Sequence, residues 1–196
     1  MVKKELIKNA IISLLLSCIG IILYISIRFR FSYAISGLVA LFHDVFVVFM
    51  FFSLFKLEVS TIYIAAILSI VGYSINDTIV TFDRIRETIR FKFNGDIKNK
   101  EELKQAINTS LRETLTRTIV TTITTLIPVI SLILLGSHEI VNFNIALLIG
   151  LTAGTLSSIF LSTSLWYVIE KKSIGKPKKK WLDDEVEELK VKGINS

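Results

Sequence analysis

The sequence contains very few of the residues from which disulfide and metal sites are built. Cys18 is the only cysteine and lies in an apolar run, so the chain can form neither an internal disulfide nor a thiolate metal site. The only histidines are His43 and His138, which fall in different predicted segments. A metal-dependent hydrolase would need further His or Asp ligands close to one of them. We therefore expect no metal and no cofactor.

Long stretches of the chain also lack charge. Hydrophobic residues make up 52% of the sequence and the mean hydropathy is positive, which is too apolar for a soluble domain of this size. Five runs are long enough to span about 30 Å of hydrocarbon at about 1.5 Å per residue; they are 9–27, 32–55, 60–82, 118–135 and 140–169. The sequence therefore predicts an all-α, polytopic membrane protein with about five transmembrane helices.

The connections between these runs define the expected organisation. A bundle at 1–169 includes one substantial loop, 83–117, and is followed by a tail at 170–196. Asn94-Gly95-Asp96 is predicted to break the loop into two amphipathic helices. In the fifth run, the small residues of 150–154 permit close helix packing.

The basic residues predict the orientation of the bundle. All but four of the 23 lysines and arginines lie at 28–30, in the loop, or after residue 168, on one side of the predicted topology. The positive-inside rule makes that side cytoplasmic, so we expect the N-terminus outside and the C-terminus in the cytoplasm. The exceptions are Lys3, Lys4, Lys8 and Lys56. Because membrane-flanking segments account for the net charge of +6, it gives no indication of nucleic-acid binding.

Acidic residues are nearly absent from the predicted spans, where only Asp44 and Asp77 occur. An ionisable side chain near the centre of a membrane helix costs about 2.5–3.5 kcal/mol on insertion scales, so it is a functional hypothesis by default. At helical spacing Asp77 shares a stripe with Ser69, Tyr73 and Thr81, which we expect to face helices or water. Asp77 is thus either a residue that takes up and releases a proton or a structural carboxylate paired permanently with a basic residue.

Arg117 is the expected partner of Asp77. It opens the fourth span on the side where the third span leaves only about five residues beyond Asp77. The fourth span also carries Pro128, which removes a helix hydrogen bond, and a row of threonines; these are Thr114, Thr118, Thr121 or Thr122, and Thr125. This surface either lines water or consists of hydroxyl groups bonded to their own helix.

Five stretches of the sequence carry a resemblance to a known family. VGYSINDTIV at 71–80 and its continuation TFDRIRE at 81–87 closely resemble the signature of the SecD/SecF family, in its SecF branch. ALFHD at 40–44, LTRT at 115–118 and GLTAGTLSSI at 150–159 are similar to further family motifs, in the same order. The resemblance covers nearly the whole chain. Family members ordinarily begin with another membrane helix and a periplasmic domain, so we expect this chain to be a fragment or a short form.

The resemblance implies transport and not enzymatic activity. With SecD, beside the SecYEG channel, such a protein in the bacterial plasma membrane would use the proton gradient to pull preproteins forward after the ATP-driven SecA steps. The residues that match Asp77 and Arg117 are tied to proton passage in the family. We expect supporting polar roles for Asp44, Tyr73, Asn76 and Thr81, and a structural role at the cytoplasmic edge for Asp83 and Arg84. The implied partners are SecD, SecYEG, preproteins and the lipid bilayer.

Two other functions remain open. An intramembrane aspartyl protease also needs two acids on neighbouring membrane helices. Such enzymes carry Tyr-Asp and Gly-x-Gly-Asp sequences, whereas the acids here follow His43 and Asn76. The other alternative is a passive assembly scaffold, in which Asp77 would not be needed for export.

Overall fold

The structure is a computed structural model that describes residues 31–57, 61–172 and 174, together with scattered positions between 5 and 23. Within these residues it is helical and contains no strand. The helices are α1 (Phe31–Leu54), α2 (Thr61–Lys92), α3 (Lys100–Leu135), α4 (His138–Leu156), a π-helical turn (Ser157–Leu161) and α5 (Ser162–Glu170). The predicted all-α membrane fold is confirmed.

Four of the described helical units are long and apolar enough to cross a membrane. They are α1, α2, α3 and the continuous unit formed by α4, the π-helical turn and α5. The predicted span 9–27 lies outside the described residues except at scattered positions, and so does the tail beyond Lys172 except for Ile174. The number four therefore refers to residues 31–172, where it matches the four spans predicted from hydropathy.

Helices α2 and α3 are longer than the predicted spans because both continue into the loop. Asn94 and Gly95 separate them, with positive φ angles of 50° and 72° that asparagine and glycine adopt more readily than other residues. Asn99 then caps α3, since its side chain accepts a hydrogen bond from the backbone N–H of Glu102 at 2.8 Å. The two helices expected in the loop are thus the ends of α2 and α3. We call this end of the bundle the loop end and the opposite one, at 55–57 and 136–137, the turn end.

Apolar side chains fill both ends of the bundle. At the loop end, the ring of Tyr33 stacks on Trp166 at 4.7 Å and meets the edge of Phe82 at 5.0 Å. At the turn end, Phe52 and Tyr63 are buried with their ring centroids 4.5 Å apart. Buried polar residues of α2, including Ser74 and Thr78, lie between the two clusters. The middle of the bundle is therefore the polar part of its interior.

Glycines allow α4 to approach α2 closely, which confirms the packing predicted for 150–154. A Cβ atom at Gly150 would lie 2.4 Å from Cδ1 and 2.8 Å from Cγ2 of Ile70. At Gly154 it would lie 3.2 Å from Cβ of Ser74. A larger residue at Gly150 therefore requires Ile70 to shift, and one at Gly154 requires Ser74 to move by a few tenths of an ångström.

We predict that Gly150→Ala destabilises the bundle by about 1–3 kcal/mol, because the added methyl group overlaps with Ile70 in a closely packed contact. Thermal unfolding of the purified chain in detergent measures the effect. Gly72→Ala is the matched control: nothing lies within 4 Å of its added Cβ, so its transition should stay or rise slightly. Ile70→Ala should relieve the overlap, making the double variant more stable than the summed single effects predict. Equal transitions for Gly150→Ala and Gly72→Ala would contradict the packing.

Candidate functional site

Asp77 joins three helical elements in the middle of the bundle. Thr118 of α3 donates a hydrogen bond to Oδ1 at 3.2 Å, and Ser158 of the π-helical turn donates one to Oδ2 at 2.6 Å. The side chain is half-buried. Each carboxyl oxygen therefore has a hydroxyl partner, and the two partners come from different helices.

The π-helical turn places Ser158 in this site. The backbone N–H of Ser162 bonds to the carbonyl of Ser157, five residues back, so the turn contains an extra residue. The hydroxyl group of Ser157 bonds to the carbonyl of Gly154, and that of Ser162 to the carbonyl of Ser158. These bonds satisfy backbone groups that the irregular turn exposes within a membrane segment. The sequence analysis interpreted 150–154 as a packing motif and 150–159 as part of the family resemblance, and it did not predict this turn.

The threonines of the row lie on one face of α3 and differ in burial. Thr118 and Thr122 are buried, and Thr122 lies 2.8 Å from the hydroxyl group of Thr155 on α4. Thr121 is exposed and bonds to the carbonyl of Arg117, and Thr125 bonds to that of Thr121. Thr122 likewise bonds to the carbonyl of Thr118, so hydroxyl groups bonded to their own helix occur in the buried and in the exposed part of the row. That the row lines water stays a prediction.

Arg117 does not contact Asp77 in this structure. Its side chain is exposed, and no ion pair joins it to Asp77 among the residues that the structure describes. Arg117 directly precedes Thr118, so the two side chains point about 100° apart on α3. Because Thr118 faces Asp77, Arg117 lies beside the site and not within it.

The other residues of the predicted stripe turn progressively into the bundle. Steps of four residues rotate by about 40° on a helix with 3.6 residues per turn. Ser69 is accordingly exposed, Tyr73 is half-buried and Thr81 is fully buried. The Thr81 hydroxyl group has no hydrogen-bond partner within the part of the chain that the structure describes. Asn76 is exposed beside the stripe.

At the loop end, Arg84 connects α2 to α3. Its Nε donates to Oε2 of Glu113 at 2.8 Å and its Nη1 donates to Glu87, while Lys92 bonds to the other oxygen of Glu113 at 3.3 Å. The hydrogen bond from Arg84 lowers the pKa of Glu113, and the hydrogen bond to Glu87 is the main cause that raises the pKa of Arg84. These contacts support the structural role expected for Arg84. Asp83 is exposed at the same edge.

Asp44 forms a second polar site close to the first. It is fully buried, and Ser74 donates a hydrogen bond to its Oδ2 at 2.5 Å. His43 Nδ1 lies 3.1 Å from its Oδ1. Ser74 precedes Asp77 by three residues, which separates the two sites by about 4.5 Å along α2. The sequence analysis did not single out Ser74, although it lies one turn from Asp77.

The donor atoms of the two sites limit their chemistry. No group of three His, Cys, Asp or Glu side chains is placed to hold a metal ion within the ranges that the structure describes. Carboxyl and hydroxyl groups prevail instead: a carboxyl group can bind and release a proton, and a hydroxyl group can donate or accept a hydrogen bond to it.

Comparison with known proteins places these residues in one family. The family described as "Protein export membrane protein SecD/SecF, C-terminal" matches residues 1–172. The chain is 43% identical to the protein translocase subunit SecDF of Bacillus subtilis, over 84% of this chain and 22% of that protein. It is 42% identical to the protein translocase subunit SecF of Alicyclobacillus acidocaldarius, over 89% of this chain and 56% of that protein. It therefore spans about half or less of these relatives.

Solved structures agree with this assignment. A crystal structure of SecDF in its super-membrane-facing form matches 86% of this chain and 22% of its own, with a TM-score of 0.79 and 37% identity. The crystal structure of SecDF from Thermus thermophilus, a translocon-associated membrane protein, matches 84% of this chain and 22% of its own, with a TM-score of 0.75 and 38% identity. This multi-pass membrane chain belongs to the SecD/SecF C-terminal family of protein export membrane proteins.

Proposed function

We propose that this chain is a subunit of the Sec protein-export machinery that, with SecD, uses the proton gradient to drive late steps of preprotein translocation through SecYEG. The observation that carries the proposal is the environment of Asp77. Its carboxyl group lies within a membrane bundle and is held by the hydroxyl groups of Thr118 and Ser158. The two relatives described above are named protein translocase subunits, and their names support the same role. This chain matches 22% of the length of one and 56% of the length of the other.

Hydroxyl partners suit a group that changes its protonation state. A hydroxyl group can donate or accept a hydrogen bond, so Ser158 and Thr118 can contact both the carboxylate and the protonated acid. A permanent ion pair would instead hold the carboxylate in its charged form. When Asp77 takes up a proton, one of its oxygens becomes a donor, and its bond to α3 or to the π-helical turn must rearrange. Proton uptake can thereby change the contacts between helices.

The surface beside Asp77 supports SecD as a partner within the membrane. Helix α2 exposes a stripe of small and polar residues, namely Ala65, Ser69, Gly72 and Asn76, and α3 is the least buried of the four crossing units. Such residues let helices approach closely in membranes. The exposed face of α1 is different, since large apolar side chains, namely Phe42, Phe46 and Phe49, lie around His43 there. We place SecD on the α2 stripe, which we call the small-residue face.

Asn76 and Arg117 locate this face relative to the site. Both are exposed, and each is adjacent in sequence to a member of the contacting pair Asp77 and Thr118. A partner on the small-residue face would therefore cover the flank of Asp77. In such a complex Arg117 is available to act on Asp77 or on an acid of the partner.

We predict that Asp77→Asn removes the gradient-dependent part of preprotein export but leaves the protein inserted and bound to its partners. Asn keeps the size and most of the hydrogen-bonding capacity of the carboxyl group, but it cannot titrate. Export into membrane vesicles with and without a proton gradient, together with the protein level in the complex, measures both effects. Asp96→Asn, an exposed change in the loop, should retain gradient dependence. Normal assembly with unaltered gradient dependence would contradict the role of Asp77.

A second prediction concerns orientation, which we propose to be loop end inside. With Cys18 replaced by Ser, a cysteine at Ser137 should react with a membrane-impermeant maleimide in intact cells. A cysteine at Lys100 should react only after the cells are permeabilised. Both positions are exposed, and Lys100 avoids the capping residue Asn99. Labelling of Lys100→Cys in intact cells would reverse the proposed orientation.

The third prediction tests the small-residue face. Gly72→Leu should weaken copurification with SecD, because a large side chain prevents close approach of a partner helix. The thermal transition of the isolated chain should stay within its normal range, since nothing of this chain lies within 4 Å of an added Cβ. Phe46→Leu, on the phenylalanine-rich face of α1, is the control and should copurify normally. If both variants retain SecD equally, the partner does not bind at the small-residue face.

A further inference from the structure

Asp44 is a buried acid that the proposed role of Asp77 does not require. Its side chain is 0% exposed, and its two oxygens contact only Ser74 and His43 among the hydrogen bonds and ion pairs of the described residues. A Cβ atom at Gly154 would lie 3.5 Å from Oδ2, so α4 closes over the carboxyl group and leaves little space for water. The surroundings of Asp44 are therefore drier than those of the half-buried Asp77.

The five predicted membrane spans contain no lysine or arginine that could form a permanent ion pair with Asp44. In the sequence of 9–27, 32–55, 60–82, 118–135 and 140–169, the only acidic or basic side chains are His43, Asp44 and Asp77. Of the elements packed around Asp44, α1 contributes His43, α2 contributes Ser74 with Asp77 one turn away, and α4 contributes the uncharged Gly154. A buried carboxylate without a paired charge is strongly disfavoured. Asp44 must then either carry a proton itself or lie beside a protonated His43.

His43 connects Asp44 to the surface of the bundle. Its Nδ1 lies 3.1 Å from Asp44 Oδ1, yet 46% of its side chain is exposed. The residue lies about midway along α1, where an imidazole ring is an unusual neighbour for hydrocarbon. One side of the ring thus contacts the buried acid, while the rest is accessible from outside the bundle.

We propose that Asp44 is a second proton-binding group and that His43 transfers protons between it and the surface of the bundle. In the transfer, the N–H bond at Nδ1 of the imidazolium breaks and an O–H bond forms at Oδ1 of Asp44, giving neutral imidazole and a carboxylic acid without any change in oxidation state. The ring regains its charge by taking a proton from a hydronium ion in water that reaches its exposed side, and that hydronium ion becomes a water molecule. The hydrogen bond from Ser74 holds the carboxyl group in place during the exchange.

The location of the pair gives the transfer a direction, which rests on the proposed function. Ser74 precedes Asp77 on α2, so the pair lies about 4.5 Å nearer the turn end. In the proposed orientation the turn end faces outside, where protons enter. Asp44 and His43 are then the groups that a proton meets before Asp77.

Infrared difference spectroscopy of the full chain in lipid vesicles tests whether Asp44 binds a proton. The chain has 17 Asp and Glu residues, so the signal of Asp44 is taken as the difference between two variants. In an Asp77→Asn background, one component of the carboxylic acid C=O band should appear and disappear with pH, and adding Asp44→Asn should remove that component. Ser74→Ala in the same background, which leaves Asp44 in place, should shift the frequency of the component because one hydrogen bond to Asp44 is lost. If Asp44→Asn removes no titrating component, or if Ser74→Ala does not move it, the assignment is overturned.

Hydrogen–deuterium exchange at the same band tests His43. His43→Gln keeps hydrogen-bonding capacity but cannot relay a charge, so exchange should slow at least about tenfold. His138→Gln, which changes the only other histidine, should leave the exchange rate unaltered. An unchanged rate in His43→Gln rules out its part in the transfer. None of these measurements depends on export, so their outcome and that of the Asp77 experiment can differ.

Discussion

The hydrocarbon of the bilayer offers no hydrogen bonds, and this constraint determines the arrangement of the bundle interior. A polar group buried there requires a partner within the protein, and among the described residues only Thr81 and Trp166 have a buried side-chain polar atom without one. Asp77 and Asp44 meet the requirement through hydroxyl groups of neighbouring helices. Most other hydroxyl groups of the crossing helices bond to carbonyls of their own helix. The polar interior is therefore possible only where helices pack closely enough for a short serine or threonine side chain to reach across.

Glycines of α4 allow the helices to pack closely around the two acids. Gly154 lets α4 approach Ser74 and Asp44, and Gly150 does the same at Ile70. The π-helical turn directly follows α4 in the same helical unit, and its residue Ser158 bonds to Asp77. One continuous run from Gly150 to Ser158 thus serves both acids. A shift of this unit along α2 would affect the two sites together.

The general fold and the central acid could be predicted from the sequence because both depend on properties of single segments. Uninterrupted apolar runs define the crossing helices, and an acid within such a run is rare enough to attract notice. The partners of that acid could not be predicted in the same way. Ser158 reaches Asp77 from a π-helical turn that is 81 residues away in the sequence, so the contact depends on how two helices pack. The charge of Arg117, its position at the start of the fourth span and the family resemblance favoured it as the partner, whereas the orientation of α3 presents Thr118 to Asp77.

The helical stripe of Asp77 shows a second limit of local rules. A spacing of four residues approximates one turn, but the error accumulates, so Ser69 and Thr81 face different surroundings. Short-range spacing therefore predicts neighbours well over one turn and poorly over three. The break between α2 and α3, in contrast, depends on a local feature, the positive φ angles at Asn94 and Gly95. The break could therefore be predicted from the sequence, although the lengths of the two helices could not.

The unbroken course of α2 through the loop has a mechanical consequence. The helix continues for fifteen residues from Asp77 to Lys92, which is about 22 Å at 1.5 Å per residue. Arg84 and Lys92 of this helix pair with Glu113 of α3 at exposed positions, so contacts along the hairpin join the two helices. A tilt of about 5° at Asp77 would displace the far tip by about 2 Å at this length. Because of its length, the hairpin has the geometry of a lever, in which a change of helix direction at the carboxyl group is largest at the tip.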